Sequence, residues 1–147
     1  EISWLNWHRM RENEEHWNFT KHMIELRRKH TVVRKPCGKS SGGLPELMTM
    51  LPDENSAVLR VVYAGRNEAD DGDDYICLAV NIYWEPQFLE LPVLPQEYRW
   101  EITADTSERY LPCSVPKEGA PVLVNGVRLR MDQRSVIVLS GYRREIK

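Results

Sequence analysis

Tyr98-Arg99-Trp100-Glu101-Ile102-Thr103-Ala104-Asp105 alternates apolar and polar side chains along its whole length. Successive residues of a strand point to opposite faces, so a period of two describes a strand with one buried and one wet face. Outward from it, residues 57–63, 75–84, 87–91, 121–124, 127–131 and 135–139 read as further strands, rich in β-branched and aromatic side chains. Asn125-Gly126 between two of them is a two-residue hairpin signal, because both central positions of such a turn need positive φ. About seven short strands with turn chemistry between them, and no alternating helices, predict a mainly β fold: an antiparallel β-sandwich over residues 57–147.

Two strands do not fit a simple sandwich. Ile76, Cys77, Leu78, Ala79, Val80 and Ile82 are almost continuously apolar, as are Val58, Leu59, Val61 and Val62, interrupted by Arg60. Apolar side chains on both faces imply a second cover, supplied by another domain, a subunit or the chain's own helix.

That helix is predicted upstream. Asn13 is positioned as its N-cap, Glu14 and Glu15 place negative charge on the first turn, and Arg27, Arg28, Lys29 and His30 place positive charge on the last. Phe19, Met23, Leu26 and His30 follow one face, and Trp17, Thr20 and Ile24 widen it. Thr31, Val32, Val33 and then Pro36 end the pattern. Residues 36–56 hold Pro36, Gly38, Ser40, Ser41, Gly42, Gly43, Pro45 and Pro52, and read as a linker crossing the surface.

The chain has 147 residues, enough for one sizeable core, and its 20 basic against 22 acidic residues leave a formal charge of -2. That balance excludes a binder held electrostatically on nucleic acid. No apolar run is long enough to span a membrane, so no membrane partner is expected. Cys37, Cys77 and Cys113 are too few and scattered for a disulfide framework, so a reducing, cytoplasmic location with inert thiols is expected. The first residue is Glu1 rather than Met, which suggests a processed chain or a piece of a longer protein.

The search for chemistry yields few candidates. The glycines at 38, 42 and 43 fit no phosphate-binding loop. His8, His16, His22 and His30 do not converge: on a helix His16 and His22 stand about 240° apart, and His22 and His30 about 12 Å apart. They are expected to be solvated or partly packed. Glu68, Asp70, Asp71, Asp73 and Asp74 lack the distal Glu of a calcium loop and read as a solvated hairpin tip at Asp71-Gly72. No metal, cofactor or catalytic residue is expected. Trp17 and Trp100 fit core faces by periodicity, whereas Trp4, Trp7 and Trp84 lie in or beside loops, where an exposed indole could stack on a sugar ring. Packing of Trp84 beneath the Glu85-Pro86 turn is the competing reading.

The order of motifs carries a resemblance. Ile2-Ser3-Trp4-Leu5-Asn6-Trp7, followed by a helix ending Ile24-Glu25-Leu26-Arg27-Arg28-Lys29-His30, resembles the end of the catalytic barrel in bacterial glycogen debranching enzymes of the isoamylase type. These belong to the alpha-amylase superfamily of glycoside hydrolases. Ala79-Val80-Asn81-Ile82-Tyr83-Trp84-Glu85-Pro86, Phe88-Leu89-Glu90-Leu91-Pro92, Trp100 and Asp105-Thr106 are similar to that family's C-terminal β-domain, and Arg134-Ser135-Val136-Ile137-Val138-Leu139 to its closing strand.

The resemblance implies that residues 1–35 are the end of a (β/α)8 barrel with its last helix, that 36–56 link, and that 57–147 form the C-terminal sandwich. The catalytic carboxylates of such enzymes precede the Trp-Leu-x-Trp segment, so none falls on this chain. The implied role is non-catalytic: stabilising the barrel of an enzyme that hydrolyses alpha-1,6-glucosidic branches in glycogen, and shaping substrate access. Trp4 and Trp7 would line the rim of the substrate groove. The implied partners are the barrel of the same polypeptide and branched glucan. The alternatives are an independent glucan-binding module using exposed tryptophans, and self-association through the barrel-facing surface.

Overall fold

A computed structural model describes residues 7, 9–54, 56–67, 71–117, 122–124 and 126–144. In chain order the elements are helices α1 (Arg9–Glu12) and α2 (Glu14–Lys29), then strands β1 (Leu47–Met50), β2 (Val58–Arg66) and β3 (Asp73–Asn81). They continue with β4 (Gln87–Glu90), β5 (Tyr98–Asp105), β6 (Val122–Leu123), β7 (Arg128–Met131) and β8 (Ser135–Arg143). One six-stranded sheet has the order β1-β2-β3-β8-β5-β6, and β4 pairs with β7 in a two-stranded ribbon. Every pairing is antiparallel. The fold is mainly β, as the sequence predicts.

The period of two decides the layers. Val58, Val62 and Ala64 of β2, Tyr75, Cys77 and Ala79 of β3, and Ile137 and Leu139 of β8 face one core, closed over by Leu89, Leu129 and Met131 from the ribbon. The intervening residues face the other way, where Ile76, Val138 and Ala104 form a second cluster with Val32. Ala104 reaches that face through a break in the β5–β8 register between Ile102 and Ala104. Such a bulge inserts one residue and turns the following side chain over. Phe19, Met23 and Leu26 of α2 pack on this second cluster. The second cover is therefore the chain's own helix, one of the three covers that the apolar strands allow.

Several local expectations are corrected. Asn13 stands before α2 but makes no side-chain cap; its amide Nδ2 donates instead to Arg9 O at 2.8 Å. Trp17 is not core: it is 47% exposed, because it lies off the stripe that meets the sheet. Residues 36–56 do more than cross the surface. Leu47–Met50 forms β1, in register with Tyr63 to Arg60 of β2, and Met48 and Met50 pack on the main core. Methionine is not β-branched and the strand is four residues long, so turn-forming neighbours masked it.

The same stretch is pinned at Ser40 to Gly42. A Cβ at Gly42 would come within 2.3 Å of Pro95 Cγ and 2.8 Å of the Tyr75 hydroxyl, so only glycine lets the backbone pass. The two-residue hairpin expected at Asn125-Gly126 is not formed: β6 pairs with β5 and β7 with β4, so the chain crosses there from the large sheet to the ribbon, with Gly126 at φ +83 and Asn125 outside the described residues.

Candidate functional site

Three features of this framework bear on function: buried polar anchors, an incompletely covered apolar face, and an exposed aromatic pair.

The anchors come from the acidic cluster. Glu68 and Asp70 lie outside the described residues, and Asp71 with Gly72 forms the connection between β2 and β3. Asp73 and Asp74, however, belong to β3 and are buried, not solvated at a hairpin tip. Strand pairing with Arg66 and Gly65 draws them into the sheet. The Asp73 carboxylate accepts from Ser41 N at 3.0 Å, Ser41 Oγ at 2.5 Å, Gly42 N at 3.3 Å and Tyr75 Oη at 2.7 Å. Its own amide donates to Tyr98 Oη at 2.7 Å. Burial acts to raise the Asp73 pKa, but the donors on Ser41, Tyr75 and Gly42 together outweigh it and hold the carboxyl below its ordinary value. Burial and the bond to Asp73 push the Tyr75 phenol the other way, upward.

Asp74 points to the helix side of the sheet. Its Oδ1 accepts from His30 Nδ1 at 2.6 Å, and its Oδ2 is buried with no partner among the described residues. His30 is therefore buried at the end of α2, not solvated. His22 is the second tie: its Nε2 donates to Thr103 O at 2.7 Å, a carbonyl turned outward at the β5 bulge. Both histidines thus fasten α2 to the sheet. They could not share an ion, and no group of three metal-ligating side chains exists among the described residues.

The apolar face extends beyond these ties. Leu59, Val61, Val80 and Val136 share the helix-side face by register, since Leu59 pairs with Val80, Val80 with Val136 and Val61 with Leu78. They are only half-buried, and they belong to neither core cluster. Ile82 beside them is 63% exposed. On α2, Trp17 and Ile24 point within about 20° of each other and about 180° from Leu26 at 3.6 residues per turn. The helix so carries a second apolar stripe, facing away from the sheet.

Of the aromatic candidates, Trp4 lies outside the described residues. Trp7 is 70% exposed in the turn before α1. Trp84 is 65% exposed after β3 and stacks on Tyr83, with ring centroids 4.2 Å apart at 25°. It does not pack beneath the Glu85-Pro86 turn. Trp100 is buried as read, its indole donating to Pro92 O at 3.0 Å.

Nucleophilic chemistry finds no support in the thiols. Cys113 lines a cleft with Glu15, His16 and Phe19, but its Sγ donates to Glu15 Oε1 at 3.5 Å, and that carboxylate raises the thiol pKa. An activated thiol needs the opposite shift. Burial pushes the Cys77 thiol up to about 12, with nearby Arg60 pulling the other way. Alkylation of the folded chain at pH 8 should accordingly spare Cys77, modifying it only as fast as the chain unfolds; mass spectrometry of the labelled peptides reads this directly.

Among the described residues, no helix is long and apolar enough to cross a membrane. Compared with protein-family models and with curated proteins, the chain matches none.

Proposed function

We propose that this chain is the non-catalytic C-terminal domain of a glycogen debranching enzyme, supporting the barrel that hydrolyses alpha-1,6-glucosidic branches. The observation that carries the reading is the apolar surface left uncovered: the half-buried row through Leu59, Val80 and Val136, and the outward Trp17-Ile24 stripe of α2. A solvated helix normally presents one apolar face. A second one suits an element wedged between its own sheet and a neighbour. The ordered motifs from Trp4 to Trp7, through the basic end of α2, to Tyr83-Trp84-Glu85-Pro86 suggest that neighbour is a debranching barrel of the same polypeptide.

The isolated chain should release no reducing sugar from branched glucan, and the reading frame upstream of Glu1 should encode a barrel with paired catalytic carboxylates. Debranching by the purified chain, or an upstream frame without a barrel, would defeat the proposal. If the uncovered surface instead joins two copies, light scattering at high concentration will show dimers.

The exposed Tyr83–Trp84 stack favours a second reading, an independent glucan-binding module. Flat indole faces stack on sugar rings, and nothing in the packing requires Trp84 to sit in water. Retardation in a glycogen gel that disappears in Trp84→Ala supports the module; mobility unchanged by glycogen in the parent chain removes it. Because Trp84 is largely exposed, the substitution should leave stability within about 0.5 kcal/mol.

A further inference from the structure

Arg60 interrupts the apolar run of β2, and its alternation places it on the core side of the sheet with Val58 and Val62. A guanidinium has five N–H donors and cannot lose its charge, so withdrawing it from water is costly unless acceptors and a counter-charge meet it. Here it donates through Nη1 to Glu90 O on β4, while Nε is buried with no partner. No carboxylate among the described residues forms an ion pair with it.

Arg60 opens into a groove of about 430 Å³ between the β1–β2 edge and the ribbon, shared with Met50, Gln87, Phe88, Glu90 and Arg128. Arg128 likewise has no carboxylate partner among the described residues; its guanidinium lies 4.2 Å above the Phe88 ring. Phe88 itself is 51% exposed. Stacking of this kind holds a guanidinium plane in place and leaves its edge donors available. Two guanidiniums without an ion-pair partner among the described residues therefore line one groove beside an aromatic ring, and among the lining residues only Glu90, in register opposite Arg128, is acidic.

We propose that this groove binds a small phosphate-bearing ligand, with the phosphate taken by Arg60 and Arg128. A phosphate presents three or more acceptor oxygens and can bridge two separate guanidiniums, which a single neutral sugar hydroxyl cannot. Nothing in this inference depends on the debranching reading.

The test is an NMR titration of the labelled 147-residue chain with inorganic phosphate, with sodium chloride of equal ionic strength as the control. Saturable shifts of the amides at Arg60, Phe88, Glu90 and Arg128 are expected with phosphate. Losing one charge-assisted contact, the Arg128→Gln variant should bind roughly 10-fold to 100-fold more weakly. Arg128 is exposed, so that variant should keep its fold, and Arg60→Lys gives a second reading if Arg60→Gln unfolds. A hexose phosphate that binds more tightly than phosphate alone would assign its ring to the groove as well. Equal response to chloride, no saturation, or undiminished binding in Arg128→Gln would overturn the proposal. So would glucose competing where phosphate does not.

Discussion

Replacing Asp73 by alanine should destabilise the chain by about 3 to 5 kcal/mol, among the largest effects of any single side chain here. Four donors converge on that carboxylate: the Ser41 amide and hydroxyl, the Gly42 amide and the Tyr75 phenol. Removing the acceptor leaves the buried Tyr75 phenol and the part-buried Ser41 and Gly42 donors without it. Each buried donor left unsatisfied costs about 1 to 3 kcal/mol, less whatever water can enter. Asp73→Asn should do nearly as much harm, because its amide nitrogen would meet donors with a donor. Chemical denaturation measures the loss, and an unfolding free energy within about 0.5 kcal/mol of the parent would show that the Ser40 to Gly42 loop is not held by this group.

The same contact predicts a pH dependence. The folded pKa of Asp73 lies below its unfolded value of 3.8. Its contribution is therefore fully present above that value and is lost as pH falls from there through the lower folded pKa. The parent chain should lose stability over that acid range, and Asp73→Asn should lose correspondingly less.

His30→Ala should cost a similar amount, about 3 to 5 kcal/mol, by a different route. His30 Nδ1 is the partner of Asp74, whose other oxygen is already unpartnered and whose side chain is 5% exposed. Without the imidazole, a buried carboxylate would face an apolar cluster with neither oxygen satisfied. The end of α2 would also lose its tie to β3, leaving His22 to hold the helix to Thr103 O. Removing both partners together should be less damaging than the sum of the single changes, since His30→Ala/Asp74→Ala leaves no orphaned charge. Additive single and double mutants would show that the two groups act independently.

These two sites mark where sequence reading stops. The strands at 98–104, 127–131 and 135–139 were legible because alternation is a local property, and Trp100 was legible as core for the same reason. The helix was legible from its 3.6-residue spacing and charged ends. Its packing face, Phe19, Met23, Leu26 and His30, was legible too, but not its width: Trp17 and Ile24 are equally apolar, and only contact shows that they turn away from the sheet. Asp73 and Asp74 looked solvated because five acids crowd a turn. Their burial depends on Ser41, more than thirty residues away, and on His30, more than forty away.

The local pattern of side chains determined, by itself, the antiparallel β character, the single long helix and the absence of nucleotide-loop or paired-cysteine motifs, since each follows from a period or a spacing within a few residues. The tertiary structure alone decided that Trp17 and Ile24 of α2 face away from the sheet, that a four-residue strand joins the edge at Leu47–Met50, and that Arg60 and Arg128 share a groove. Those outcomes depend on segments brought together from about 10 to more than 100 positions apart, where burial and unmet hydrogen bonds, rather than local propensity, set the free energy.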